Sequence, residues 1–406
     1  MLERLYLDKT YQYLLISLAF FLPLSVFIAN SIIVIIVLIW LFSGEYRQKI
    51  NQIINNKLLI ASIIFFSLHV LGLLWTEDIV WGLNIVHKMW YFLLLFPILH
   101  SIVKRENIKY YFYAFLLAIS LTELISYLIW FEIIPAFKNA TVLNPTPFMS
   151  HISYNPILAF AIYFVLHKIL FDKNLDTTKF MWLSFFSVTM TINMFITGGR
   201  AGQIMFFAML TILIFQFFSR QRIKALILVL TVIPSIFFVA YQSSPLFHDR
   251  VDLAIHEANT FEEKRSVLDG NSPSSVGIRL NFAINSWELI KKNPWIGVGT
   301  GDFPSEFNKI NNINSPNLPG GANPHNMYIL VLAQLGLIGL VSMLSIFYYQ
   351  LKLSSASSSK FIRDAGVAMP LLFLIIMLSD SYLLGHYTTL MFVFFSSFLY
   401  NNFEKS

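Results

Sequence analysis

Apolar runs of bilayer length, separated by short polar connections, constrain this chain more than any single motif does. About twelve such runs can be read: 11–29, 31–43, 57–75, 79–100, 108–131, 151–171, 179–197, 201–218, 222–240, 326–351, 361–379 and 382–401. Roughly 20 apolar residues in a helix cross the hydrocarbon core. Inside it, only helices or closed barrels satisfy their own backbone. The 406 residues are 56% hydrophobic and 12% charged, where a soluble domain carries about 25% charged residues. The expected fold class is therefore an all-α polytopic membrane protein with about twelve transmembrane helices. Residues 1–240 hold nine of them, 241–325 form one large loop, and 326–406 hold the last three.

Basic residues fall on alternate connections. One set contains Arg47, Lys49, Lys57, Lys104, Arg105, Lys109, Lys168, Lys173, Lys179, Arg220, Arg222, Lys224, Lys352, Lys360 and Arg363. The other, leaving aside 241–325, contributes Lys138 and Arg200. The positive-inside tendency puts the first set and both termini in the cytoplasm, so the net charge of +6 is a topology signal and no nucleic-acid patch. Cysteine is absent, which excludes disulfides, thiol chemistry and cysteine metal sites. The first apolar run follows acidic as well as basic residues and lacks small-residue cleavage spacing, so it reads as an uncleaved span.

The loop 241–325 then lies on the outer face, where a connection of this length is more often functional than idle. It opens on the mixed charges of "HDRVDLAIHEANTFEEKR", breaks at "DGNSPSSVG", and continues as "IRLNFAINSWELIKK". That last stretch is expected to be an amphipathic helix with Ile278, Phe282, Trp287 and Leu289–Ile290 on its apolar side. "NPWIGVGTGDF" and "NNINSPNLPGGANP" read as loops. Asp249, Asp252, His256 and Glu257 have no ligand spacing and look like a polar helix face, so no metal is expected. "GVGTG" lacks the βαβ context of a nucleotide site.

Candidate chemistry gathers at the outer face. Arg200, in the turn "TGGRAG", is either an interfacial arginine reaching for water or an anion site. In the second reading Gly198 and Gly199 let the backbone approach a ligand at a helix N-terminus, and the guanidinium fork suits phosphate. Arg279 opens the amphipathic helix and is either solvated or folded back toward Arg200. His325 and Asn326 stand at the mouth of an apolar run. Capping by Asn323 with Pro324 at the first helical position is one account, and a histidine that takes a proton from a hydroxyl is the other. Gly336 and Gly339 in the same run read as close helix packing. Lys88 and Glu123 both lie inside spans, about 12 Å below the outer surface at 1.5 Å per residue, and an ion pair or a ligand-facing lysine are the two readings. Asp380, His151 and Tyr154 are assigned to structure or pocket lining.

Together "TGGRAG", "SSVGIRLNFAINSWELIKKNPWIGVGTGDF" and His325–Asn326 followed nine residues later by "GLIG" resemble the O-antigen ligase and polymerase family, with a ligase favoured by the lack of a soluble region after the last span. The resemblance implies a GT-C-like membrane glycosyltransferase of the Gram-negative inner membrane, with its active site facing the periplasm. It would move a glycan from undecaprenyl diphosphate to lipid A–core oligosaccharide, without metal or other cofactor and with inversion. By position, Arg200 and Arg279 would hold the donor diphosphate, His325 would orient or deprotonate the acceptor, and Lys88 would match a basic residue of an early span. Asn326, His151 and Tyr154 are further candidate binding residues on this chain's own reading. Some ligases have a second histidine where this chain has Asn323. A polymerase or a protein O-oligosaccharyltransferase would share the donor. A transporter or flippase would instead show two matching halves, and none are visible.

Overall fold

A computed structural model describes residues 2–259, 275–316 and 319–401. Helices dominate it, and among these residues the only β pairing is an isolated bridge between Thr141 and Asn144. Eight helices are long and apolar enough to cross a membrane, or nine if the pair Val26–Phe42 and Tyr46–Ile54, bent by 114°, is one span. The eight are α4 with its 3₁₀ extension (Lys57–Trp75), α5–α6 (Ile79–Ile102), α7 with the 3₁₀ turn before it (Arg105–Trp130), α8 (His151–Phe171), α9 (Thr177–Ile196), α10 (Arg200–Phe217), α11 (Arg222–Ser243) and α15 (Met327–Ser355).

The remaining expected spans are helical but differ in extent. The run at 11–29 crosses a break. Helix α1 covers Leu2–Phe21 and α2 begins at Val26, capped by the Ser25 hydroxyl, which accepts from the Ile28 N–H. Pro23 lies between them, and a proline restricts its predecessor and removes a donor. The last two helices, α16 (Lys360–Ile376) and α17 (His386–Leu399), have 17 and 14 residues. At 1.5 Å per residue α17 is about 21 Å long, short of a hydrocarbon core. It compensates by burial: Phe392, Phe394, Phe395 and Phe398 are all inaccessible, and Phe395 packs tilted on Phe112 and edge-on to Phe115 of α7 and stacks on Phe164 of α8. A helix that is apolar all round belongs at the centre of a bundle.

Between α11 and α15 the chain forms α12 (Pro245–Asn259), α13 (Ser275–Lys292) and α14 (Phe303–Asn314). Most of the "DGNSPSSVG" break and the end of "HDRVDLAIHEANTFEEKR" lie outside the described residues, as does the side chain of Glu257. On α12, His248 faces Asp249 and Asp252 along a solvated side. Helix α13 forms as the periodicity predicts, with Phe282, Leu289 and Ile290 buried, but Trp287 is 56% exposed. Its other buried face is polar: Asn281 and Asn285 donate to Asn311 Oδ1 at 2.9 and 3.1 Å, and Ser315 donates to Asn281 at 2.8 Å. Asn311 belongs to α14, a helix where "NNIN" reads as loop. Phe303, Phe307 and Ile310 supply its apolar stripe, and the amide network offsets the weak helix preference of asparagine.

The glycine-rich stretch after α13 enters the bundle. Gly336 interrupts α15 with φ +62°, and the loop backbone fills the interruption. Val298 and Gly299 N–H donate to Ala333 and Gln334 carbonyls at 2.9 and 3.0 Å, and Leu337 and Ile338 N–H donate to Pro294 and Trp295 at 2.8 and 3.3 Å. Farther on, Thr300 N–H donates to Gly72 O at 3.3 Å and its hydroxyl to His69 O at 2.7 Å, while Asp302 accepts from Glu77 and Asp78 N–H at 2.8 Å each. Gly336 is therefore not a helix–helix packing position, as its spacing suggested, but the place where a loop inserts into a broken helix.

Candidate active site

Residues 323–326 are held by the turn that joins α16 to α17. Asn323 Oδ1 accepts from the His325 N–H at 3.0 Å and the Ser381 hydroxyl at 2.8 Å, and its amide donates to Asp380 Oδ1 at 3.2 Å. This local ring holds His325 at φ +51°, a left-handed conformation that costs about 1–2 kcal/mol for most residues. Strain of this kind persists where surroundings over-determine it. The cap of α15 is Asn326 rather than Asn323: its Oδ1 accepts from Tyr328 and Ile329 N–H at 3.0 and 3.1 Å, and its amide donates to Leu378 O. Pro324 consequently precedes the helix. Asn326 is engaged in capping on both sides of its amide.

The His325 ring is fixed from two directions. Nδ1 lies 3.3 Å from Asp380 Oδ1, and the ring stacks on Phe282 of α13 at 6.1 Å between centroids and 14° between planes. Burial pushes the Asp380 carboxyl up, but hydrogen bonds from His325, the Ser381 N–H and Asn323 outweigh it and leave the group below the usual carboxylate range. An ionised Asp380 only accepts, so Nδ1 must carry the hydrogen, and in the neutral ring the lone pair is on Nε2. The side chain of His325 is 39% exposed against 20% for Asp380, so the imidazole is the outward member of the pair.

Asp380 also yields a pH prediction. A depressed carboxyl stabilises the fold above the ordinary aspartate value, and that contribution is lost as pH falls through the lower folded value. Wild type is expected to exceed Asp380→Asn by about 1–3 kcal/mol at neutral pH, with the gap closing below about pH 4. Parallel thermal melts across pH measure it, and a gap independent of pH would remove the ionised carboxylate from the account.

Beside this pair lies a cavity of about 300 Å³, with Trp81, Ile85 and Lys88 of α5 on one wall, Ile152 and Ser153 of α8 on another, and Asn323, Asp380 and Tyr382 closing it. Lys88 is half-buried, and among the described residues its ammonium has no hydrogen bond or ion pair. It does not pair with Glu123. That carboxyl is buried on α7, close to Thr189, Tyr127 and Tyr154. Equal depth set both groups at one level, but α7 turns Glu123 toward α8 and α9 while α5 turns Lys88 toward the 377–385 turn.

Arg279 is exposed on α13. It lies three residues before Phe282 on α13, so the two share a helix side. Its charge also reaches Tyr382, whose phenol burial raises, with Ser379 and Arg279 opposing the rise and Asp380 adding to it. Arg200 starts α10 next to α8. The glycines before it serve protein contacts rather than a ligand: a Cβ at Gly198 would come within 2.5 Å of Asn144 Oδ1, and one at Gly199 within 2.8 Å of the His151 carbonyl. Asn144 Oδ1 accepts the Gly198 N–H at 2.9 Å, and Asn155 bridges the Thr197 hydroxyl and the Gly199 carbonyl.

His151, the first residue of α8, therefore adjoins the Arg200 turn and precedes the cavity residues Ile152 and Ser153. The charge of Arg250 on α12 also reaches it, and Arg250 is a cation that no motif marked out. Tyr154, the residue after Ser153, is only 2% exposed and donates to Asn193 at 2.9 Å. Lys88 and Asp380 thus line one cavity, and His325 adjoins it through Asp380. The charge of Arg279 reaches its wall residue Tyr382, and His151, beside the Arg200 turn and reached by Arg250, precedes its wall residues Ile152 and Ser153. Asn326 and Tyr154 make structural contacts.

The profile of the family described as O-Antigen ligase matches residues 185–344. The family resemblance read from the sequence is borne out over this stretch, which contains Arg200, Arg279, His325 and the Gly336 break. Lys88 and Asp380 lie outside it. No curated protein matches the chain.

Proposed function

We propose, from an O-antigen ligase domain over residues 185–344 and the cavity it helps to enclose, that this chain transfers a polysaccharide from undecaprenyl diphosphate to a hydroxyl of lipid A–core oligosaccharide. The observation that carries the reading is the His325 ring, clamped by Asp380 and Phe282 beside the Lys88 cavity, with Arg279 three residues before Phe282 on α13. The acceptor O–H approaches the anomeric carbon of the donor sugar. A new C–O bond forms there as the bond to the diphosphate oxygen breaks on the opposite side, which inverts the centre. The proton passes to Nε2 of His325, stabilised by Asp380 through Nδ1. Charge accumulates on the departing undecaprenyl diphosphate, and Arg279, Arg200 and Lys88 offset it in a partly desolvated setting. The donor is already activated, so the chemistry needs neither nucleotide nor metal. With the basic connections in the cytoplasm, the cavity faces the periplasm from a GT-C-like inner-membrane enzyme.

Purified protein in liposomes, given undecaprenyl-diphosphate-linked glycan and core lipopolysaccharide in the presence of EDTA, is expected to form glycan-bearing lipopolysaccharide. Flipping of the donor without transfer would support a transporter instead. Deletion in cells separates the acceptors. Long polymer stranded on undecaprenyl diphosphate is expected, whereas single repeats on the core would identify a polymerase.

A further inference from the structure

The opposite ends of α8 and α16 enclose a second, larger cavity of about 480 Å³. Its walls are apolar, from Phe112 and Leu116 of α7, Phe164 of α8 and Phe361 of α16. Four cations border it, Arg105, Lys109, Lys168 and Lys360, against the single bordering carboxylate Asp172. Lys360 is balanced from below: its Nζ is 3.0 Å from buried Asp364, which also meets His167 Nε2 at 3.0 Å, and it lies 4.2 Å over the Phe171 ring. Lys109 and Lys168 are different. They contact the tyrosines Tyr110 and Tyr113, and among the described residues neither pairs with a carboxylate. The cavity therefore couples an apolar hollow to two lysines, Lys109 and Lys168, that have no carboxylate partner among the described residues, about 30 Å along the 21 residues of α8 from the His325 site.

We propose that this cavity holds one anionic phospholipid, with its phosphate between Lys109 and Lys168 and the first acyl methylenes along Phe112, Leu116 and Phe164. Basic pockets between membrane helices on the cytoplasmic side take anionic headgroups, and the charge pattern assigns this end to that side. A zwitterionic lipid would cover the apolar wall and leave the border charge unmatched. Inorganic phosphate would do the reverse. The site is independent of the transfer reaction and does not rest on it.

Native mass spectrometry of the full chain in neutral detergent tests it, with dioleoylphosphatidylglycerol, dioleoylphosphatidylcholine and inorganic phosphate as probes. One phosphatidylglycerol is expected to be retained, with no displacement by phosphate and no comparable retention of phosphatidylcholine. Lys109→Gln with Lys168→Gln is expected to weaken retention by about thirtyfold, at roughly 1 kcal/mol per lysine. Lys109→Arg with Lys168→Arg should retain the lipid, and so should the charge-matched pair Arg222→Gln with Lys224→Gln at another basic turn. Equal weakening in both glutamine pairs, loss in the arginine pair, displacement by phosphate, or equal retention of phosphatidylcholine would each overturn the proposal.

Discussion

Replacing His325 by alanine is expected to reduce glycan transfer by about 10²–10⁴-fold, the range for removing a positioned general base. In the proposed reaction the ring accepts the proton at Nε2 while Nδ1 donates a hydrogen bond to Asp380, 3.3 Å away. Alanine at φ +51° also carries a backbone cost, so a second variant separates chemistry from folding. Asparagine tolerates the left-handed region and can still donate to Asp380, but it has no basic nitrogen. His325→Asn is therefore expected to stay folded and remain as deficient as His325→Ala. Arg279→Ala should cost about 10²–10³-fold by leaving diphosphate charge unopposed, with the protein still inserted. Single-turnover transfer in liposomes measures all three, and wild-type rates in either alanine variant would take that residue out of the mechanism.

How much of this was legible beforehand differs by kind of information. Alternating basic connections and apolar runs located most helices, because span length and charge placement are local properties. Phe282 and Leu289–Ile290 marked the buried side of α13 for the same reason. Relations between helices were less visible. Lys88 and Glu123 share a depth, but depth says nothing about which way each helix is turned, and they face different neighbours. Asp380 read as structural because its partners His325 and Asn323 lie 55 and 57 residues away in the chain. Asn323 and Asn326 are both good caps, and only the position of the 377–385 turn decides between them. Gly198, Gly199 and Gly336 advertised close approach correctly. What approaches is other backbone and asparagine side chains, which no spacing rule identifies.

The Gly336 break leads to the largest stability prediction. Four N–H groups exchange hydrogen bonds across it, two from Val298 and Gly299 into α15 and two from Leu337 and Ile338 back to the loop. Within a membrane-embedded helix each group left unmatched costs several kcal/mol. A Cβ on Gly336 would lie 2.2 Å from the Trp295 carbonyl carbon, and one on Gly297 2.3 Å from that of Gln334. Both obstacles are backbone, so relief requires the loop to withdraw and surrender the exchanged bonds together. Gly336→Ala is therefore expected to cost more than about 4 kcal/mol, given several kcal/mol for each unmatched group, and to depress transfer as well, because the same loop leads from α13 with Arg279 and Phe282. Gly44→Ala is the internal standard: its φ is +68° but nothing lies within 4 Å of an added Cβ, so it isolates the backbone cost of about 1–2 kcal/mol. Thermal unfolding of the purified variants should rank Gly336→Ala and Gly297→Ala well below Gly44→Ala. Coincident melts would mean that the inserted loop contributes little, and that the outer helices reach the His325 cavity by contacts other than this one.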